Sequence, residues 1–129
     1  MMLRMMIAAV ALCATVAPAM AADPAAGEKD FTVCKACHRL GEDAKNNVGP
    51  QLNGVVGRKA GSLADFNYSE PLKSSGLTWD EATLTEYLKN PKAKVPGTKM
   101  AYAGLKDEAK IADIIAYLKQ FAADGKRTQ

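Results

Sequence analysis

Apolar residues recur with a helical period in the last part of the chain. The residues that form this pattern are Ile111, Ile114, Ile115, Leu118 and Phe121. Their spacing of mostly three residues brings them to one face of an α-helix. The pattern therefore predicts an amphipathic helix near the C-terminus, and it is the strongest helical signal in the sequence.

A second helix is predicted near residue 24, where Asp23–Pro24 has the composition of a helix start. Gly27 and Phe31 lie four residues apart, and therefore on one face of this helix. Because glycine has no side chain, we expect the two terminal helices to approach closely at Gly27. Phe31 would then pack against Ile114 or Tyr117.

A third helix is predicted from about residue 78. The segment Thr78–Glu81 has the Thr-x-x-Glu pattern of a capping box. Leu84, Tyr87 and Leu88 follow at helical spacing, and Pro91 is expected to end the helix.

The stretch between His38 and Thr78 lacks helical periodicity and is rich in glycine, at positions 41, 49, 54, 57, 61 and 76. A loop of this length is rare in a compact domain unless it wraps something. The chain also has only one Trp, four Tyr and three Phe, a small aromatic core that a buried cofactor would complete. We therefore predict an all-α fold with three main helices and loops that wrap a cofactor.

The first 21 residues have the pattern of a secretory leader. Arg4 precedes an apolar run from Met5 to Val16, and Ala19–Ala21 fits the small-x-small rule for cleavage. We predict a leader over residues 1–21, cleaved after Ala21 or one residue later, and one domain over residues 22–129. The alternative is an uncleaved membrane anchor, but an apolar run of roughly 12 residues is shorter than the ~20 that span a bilayer.

Cleavage changes the composition that bears on function. Cys13 and five of the six methionines lie in the leader. Arg4 is the only one of the 17 basic residues that is lost, so 16 basic residues face 14 acidic ones and the net charge is +2. This small charge argues against nucleic-acid binding.

The segment Cys34–His38 has the pattern Cys-x-x-Cys-His, which is typical of covalent haem attachment. Cys34 and Cys37 would share one face of a helical turn and form thioethers with the two vinyl groups of one haem. His38, about a third of a revolution further, would reach the iron. A thioredoxin-like site would need a strand and helix setting, and structural zinc would need four N or S ligands; neither requirement is met.

Met100 is the candidate for the other axial ligand, because His38 is the only histidine and Met100 is the only methionine outside the leader. Ligation by both residues leaves the iron no open position, and a thioether raises its reduction potential. This predicts an electron carrier rather than an enzyme. A haem peroxidase or gas-binding sensor would need a vacant or labile position and is the alternative.

These residues resemble those of class I c-type cytochromes, specifically the bacterial cytochrome c2 group and mitochondrial cytochrome c. The resemblance covers nearly the whole predicted mature chain and rests on Gly27, Phe31, Cys34–His38, Gly49–Pro50, Gly57–Lys59, Tyr68, Thr78–Trp79, Tyr87–Leu88, Asn90–Pro91, Pro96–Met100 and Tyr117–Leu118. It implies the cytochrome c fold and one covalently attached haem c. It also implies a soluble periplasmic carrier that shuttles electrons between membrane complexes, such as a cytochrome bc1 complex and a terminal oxidase or photosynthetic reaction centre.

The resemblance further implies roles around the haem. The carbonyl of Pro50 would accept a hydrogen bond from the outer imidazole N–H of His38, which fixes the ring and raises its basicity. Arg58, Tyr68 and Trp79 resemble the donors that hold a buried haem propionate.

Two more residues resemble groups on the methionine side: Tyr87 is similar to a hydroxyl placed near the Met100 sulfur, and Thr98 to a residue beside the propionates. Two positions depart from the family pattern. Many relatives have asparagine where this chain has Leu72, and phenylalanine where it has Tyr102.

Five lysines cluster in sequence around the segments expected to bracket the haem: Lys35, Lys92, Lys94, Lys99 and Lys106. We expect them to form a basic rim that steers acidic docking surfaces of redox proteins to the haem edge. We also expect a monomer without stable membrane insertion.

Overall fold

A computed structural model describes residues 13–14 and 21–128, so nearly all of the predicted leader, residues 1–21, lies outside the described residues. The helices are α1 (Pro24–Asp30), a 3₁₀ helix (Phe31–Ala36), α2 (Glu70–Lys73), α3 (Glu81–Lys89), α4 (Pro91–Lys94) and α5 (Glu108–Leu118). The described residues contain no β-strand, only two isolated bridges. The predicted all-α class is confirmed, and α1, α3 and α5 are the three main helices.

The terminal helices α1 and α5 cross at Gly27. A Cβ atom at Gly27 would overlap the carbonyl oxygen of Asp113, so only glycine permits this close approach. Phe31 packs against Tyr117, with ring centroids 5.5 Å apart. The backbone N–H of Asp23 donates to the Asp113 carboxylate at 2.8 Å, which fixes the start of α1 against α5.

The start of α3 differs from its prediction. The carboxylate of Asp80 caps the helix by accepting from the Thr83 N–H at 2.7 Å. The prediction of a capping box that begins at Thr78 is therefore wrong. Thr78 instead forms a backbone bridge with Lys59, before the helix starts. α3 ends before Pro91, as predicted, and Pro91 begins the one-turn helix α4, which the sequence pattern did not predict.

The stretch 39–77 consists mainly of turns, as predicted, and α2 is the only helix within it. Residues 57–60 run beside residues 77–79. The Trp79 N–H donates to the Arg58 carbonyl at 2.8 Å, and the Ala60 N–H donates to the Leu77 carbonyl at the same distance. This pairing holds Arg58 beside the buried Trp79.

The core joins the main helices to the wrapping loops. The apolar face of α5 is buried as predicted, and it packs with Phe31, Trp79, Leu84, Tyr87 and Val95. Cys34, Leu72, Leu88 and Met100 are partly buried against the same cluster. No helix among residues 13–14 and 21–128 is long and apolar enough to cross a membrane.

Candidate haem site

The attachment segment forms one compact turn at the end of the 3₁₀ helix. The N–H groups of Cys37 and His38 both donate to the Cys34 carbonyl, at 3.1 and 2.9 Å. Side chains three residues apart nearly eclipse in such a turn, so the two thiols lie along one side of it. Both thiols are free and half-buried. Burial raises the pKa of the Cys34 thiol, and the nearby Cys37 raises it further.

His38 is held in one tautomer by its backbone partner. The imidazole Nδ1 lies 2.7 Å from the carbonyl oxygen of Pro50. Because a carbonyl only accepts, Nδ1 carries the proton and Nε2 keeps a free lone pair. Burial lowers the pKa of His38, the hydrogen bond to Pro50 opposes this shift, and the charge of Arg58 lowers the pKa further. A neutral imidazole with a free Nε2 is the form that binds a metal.

Arg58 has hydrogen-bonding capacity that the described residues do not use. Its Nη1 donates to the carbonyls of Gln51 at 3.1 Å and Asn53 at 3.2 Å. Its Nε is buried and has no partner within the described residues. Burial lowers the pKa of Arg58, and the nearby Tyr68 raises it. An unpaired buried N–H is costly, and a carboxylate of a bound group would satisfy it.

The other two residues predicted to hold a propionate lie in the same region. Tyr68 is buried, its hydroxyl accepts from the Leu63 N–H at 3.2 Å, and it lies close enough to Arg58 to affect its pKa. Trp79 is buried and backbone-bonded to Arg58, and its ring packs 4.9 Å from that of Tyr87.

On the methionine side, the hydroxyl of Tyr87 pairs with Thr98 Oγ1 at 2.7 Å. The same oxygen accepts from the Met100 N–H at 3.4 Å. The described hydrogen bonds of Tyr87 thus lead to the Met100 backbone through Thr98 and include no bond to the sulfur. Burial raises the pKa of Tyr87, while the bond to Thr98 lowers it, so the hydroxyl stays protonated at neutral pH.

The chain after Met100 returns to the attachment turn. Burial raises the pKa of the Tyr102 hydroxyl, and the nearby Cys34 raises it further. Cys34 and Met100 are both partly buried against the same core cluster, so the attachment turn and the Met100 segment border one core. Tyr102 stands where the family pattern has phenylalanine.

These residues fit a covalently bound haem. The site offers two half-buried thiols, a neutral imidazole with a free nitrogen, a half-buried thioether and a guanidinium whose buried Nε lacks an acceptor in the described part of the chain. These are the groups that bind vinyl carbons, iron and a propionate. Cys34, Cys37, His38, Met100 and Arg58 would hold the group.

Residues 24–122 match the protein-family model for cytochrome c. The chain belongs to the cytochrome c family. It is 60% identical over 121 residues to cytochrome c-554 of Methylosinus trichosporium, covering 93% of this chain and 92% of that one. It is 58% identical over 107 residues to cytochrome c2 of Rhodoblastus acidophilus, an alignment that covers 83% of this chain and 100% of that one. The solved structure of cytochrome cH from Methylobacterium extorquens aligns with a TM-score of 0.71 and 59% identity, and the alignment covers 75% of this chain and 97% of that one.

These findings confirm three predictions. This cytochrome is a class I c-type cytochrome of the cytochrome c2 group. It has the cytochrome c fold, and one covalently attached haem c is its cofactor. As a member of the cytochrome c family it is an electron carrier, and the family is not normally enzymatic.

Sequence reasoning missed two residues that support the site. Asn53 is a buried polar residue whose side chain bonds the backbone of Gly41, and its carbonyl holds Arg58. Gln51 holds Arg58 as well, and its side-chain oxygen accepts from the Asn53 N–H at 2.7 Å. Neither residue belongs to a periodic pattern, so only the glycine-rich context marked this loop.

One of the five lysines predicted to form a basic rim is paired within the protein. Lys94 is half-buried and forms an ion pair with Glu86, which partly neutralises its charge. The other four are exposed and form no ion pair within residues 13–14 and 21–128: Lys35, Lys92, Lys99 and Lys106.

Proposed function

We propose that this cytochrome is a periplasmic single-electron carrier whose iron is bound by His38 and Met100 and whose haem is attached through Cys34 and Cys37. The observation that carries the proposal is the hydrogen bond from His38 Nδ1 to Pro50, which leaves Nε2 as the free ring nitrogen. When bound, haem supplies a one-electron ferric/ferrous couple.

The polypeptide prepares the site for outer-sphere transfer. Iron held by the imidazole of His38 and the thioether of Met100 would have no position left for oxygen or peroxide. Tyr87 and Thr98 restrain the Met100 backbone, and Arg58, with Tyr68 and Trp79, would hold a propionate. These contacts would hold the two ligands in place in both oxidation states, which would favour rapid electron exchange.

Export of the chain is the second part of the proposal. The leader, residues 1–21, would be removed after Ala21 to leave residues 22–129. Cytochrome c2 of Rhodoblastus acidophilus supports this division, because its whole length is matched by 107 residues of this chain, close to the 108 that cleavage would leave. The partners would be membrane redox complexes, such as a cytochrome bc1 complex and a terminal oxidase or photosynthetic reaction centre.

The ligand assignment is tested by absorption spectra of purified holoprotein, ferric and ferrous, with and without carbon monoxide. We expect the weak red charge-transfer band that ferric haem shows with a sulfur ligand, and a ferrous spectrum unchanged by carbon monoxide. The Met100→Ala variant is the control: it should lose the band and bind carbon monoxide. A wild-type protein that binds carbon monoxide readily would be an open-site enzyme or sensor instead.

Cleavage is tested by intact-mass measurement of the protein from the periplasm of a host that matures c-type cytochromes. The expected mass is that of residues 22–129 plus one haem. A mass that retains residues 1–21, with the protein in the membrane fraction, would favour an anchored cytochrome.

A further inference from the structure

Residues 120–128 fold back on the body of the protein as a small hairpin, called here the C-terminal hairpin. The Ala122 N–H donates to the Lys126 carbonyl at 3.0 Å, and the Thr128 N–H donates to the Gln120 carbonyl at 2.7 Å. The match to the family model ends at residue 122. Most of this hairpin therefore lies outside the family pattern.

Arg127 fastens the hairpin to the terminal helices. Its Nε donates to the Gln120 side chain at 3.1 Å, and its two terminal nitrogens reach the Glu28 carboxylate of α1 at 3.5 and 3.3 Å. The guanidinium also lies over the rings of Tyr117 and Phe121, 5.3 and 5.5 Å from their centroids. Stacking and ion pairing together restrict the positions of this side chain.

The turn of the hairpin packs against residues 41–58, called here the proximal loop. Gly125 is buried with φ +84°, and a Cβ atom there would overlap the Gly41 carbonyl oxygen. A Cβ atom at Gly54 would lie 2.9 Å from the Ala123 Cα. The Gly54 N–H also donates to the Phe121 carbonyl at 3.0 Å. The two backbones are thus in direct contact along the turn.

Hydrogen bonds continue from this contact to the haem site. The Asn53 side chain accepts from the Gly41 N–H at 2.9 Å and donates to the Gly41 carbonyl at 2.8 Å. The carbonyls of Asn53 and Gln51 hold Arg58. Pro50 lies in the same loop, between Gly41 and Gln51 in sequence, and its carbonyl accepts a hydrogen bond from the imidazole of His38, the proposed iron ligand. These bonds connect the Gly41 backbone through Asn53 to a carbonyl group that holds Arg58.

We propose that the C-terminal hairpin positions the proximal loop, with Gly125 and Arg127 as positioning residues for the His38 imidazole and the Arg58 guanidinium. The inference rests on the proposed function in taking His38 as an iron ligand. Loss of the contact would let the proximal loop open locally, so that its hydrogen bonds exchange with solvent while the α1 and α5 core stays closed.

The test is hydrogen exchange by NMR in the ferrous holoprotein, comparing Gly125→Ala with Gly76→Ala. Gly76 also has positive φ, +68°, but a Cβ atom there would meet nothing within 4 Å, so it controls for backbone strain. We expect Gly125→Ala to speed exchange of the His38 Nδ1 proton and the Gly41 and Gly54 amides on the order of tenfold relative to Gly76→Ala. The α5 amides should exchange alike in both variants.

A second pair of variants keeps the inference testable if Gly125→Ala does not fold. Arg127→Gln should open the proximal loop selectively, whereas Lys126→Gln removes the same charge from the neighbouring exposed residue and should not. Equal acceleration in α5 and the proximal loop, or none in either, would refute the positioning role. Failure of the proposed function is separate, since it appears as carbon monoxide binding to the wild-type protein.

Discussion

Arg58 is half-buried under a loop that satisfies only part of its guanidinium. Two backbone carbonyls hold Nη1, but Nε has no acceptor in the part of the chain that the structure describes. An unmade buried hydrogen bond costs about 1–3 kcal/mol, a cost that a haem propionate would remove. Arg58 also lowers the pKa of His38, so its charge acts at the proposed iron ligand.

Replacing Arg58 should therefore lower the reduction potential. The Arg58→Gln substitution removes a positive charge that would repel ferric iron more than ferrous iron. We therefore expect the reduction potential to fall by tens of millivolts, which corresponds to about 1 kcal/mol. The measurement is a spectroscopic redox titration of the holoprotein. Lys110→Gln is the control, because Lys110 carries the same charge at an exposed position of α5; equal shifts in the two variants would mean that Arg58 acts only through net charge.

At the scale of elements, periodicity predicted α5 well because one face of it is buried throughout. The Thr-x-x-Glu pattern misplaces the cap of α3, because two residues that can cap it, Thr78 and Asp80, precede the same helix. A local pattern does not reveal that Thr78 pairs with Lys59, which lies far away in sequence. This pairing keeps the backbone extended at Thr78, so the helix begins later in the sequence and Asp80 provides the cap.

The Asp80 cap makes the stability of α3 depend on pH. Hydrogen bonds from the Thr83 backbone and side chain are the largest causes that lower the pKa of Asp80 below its ordinary 3.8. A carboxylate with a lowered folded-state pKa stabilises the protein above its unfolded-state pKa, and this contribution is lost as pH falls through the folded-state value. It is therefore present at neutral pH and lost in acid.

We expect Asp80→Asn to be less stable than wild type at about pH 6, with the difference shrinking towards about pH 3 as the wild-type carboxylate protonates. Urea unfolding followed by far-ultraviolet circular dichroism across this range measures the effect. Asp43→Asn is the control, because the Asp43 side chain accepts no hydrogen bond from residues 13–14 and 21–128. A difference independent of pH would mean that the charge of the Asp80 carboxylate does not contribute to the cap.

For the whole molecule, the groups proposed to hold the haem are easier to recognise in the sequence than the groups that support them. Cys34, Cys37 and His38 are adjacent in sequence, so their chemistry can be recognised locally. Asn53 and Arg127 act through contacts with residues distant along the chain. No spacing rule identifies such contacts, because they arise only when the loops have packed.

Some lysines form ion pairs within the protein, whereas others are exposed and unpaired within the described ranges. Lys89, Lys94 and Lys119 pair with glutamates. Lys92 and Lys99, on the segment that leads to Met100, are exposed and form no ion pair within the described ranges. Exposed unpaired charges act on an approaching protein at long range, with a strength that falls as salt is added.

We therefore expect the double substitution Lys92→Glu with Lys99→Glu to slow electron delivery to a purified bacterial terminal oxidase roughly tenfold at low ionic strength, with the effect fading at high salt. Stopped-flow oxidation of the ferrous protein measures this rate. Lys29→Glu with Lys110→Glu changes the net charge equally, at exposed positions on α1 and α5. If this control slows transfer as much, steering depends on net charge alone; a slower rate only in the first variant places the docking surface beside the Met100 segment.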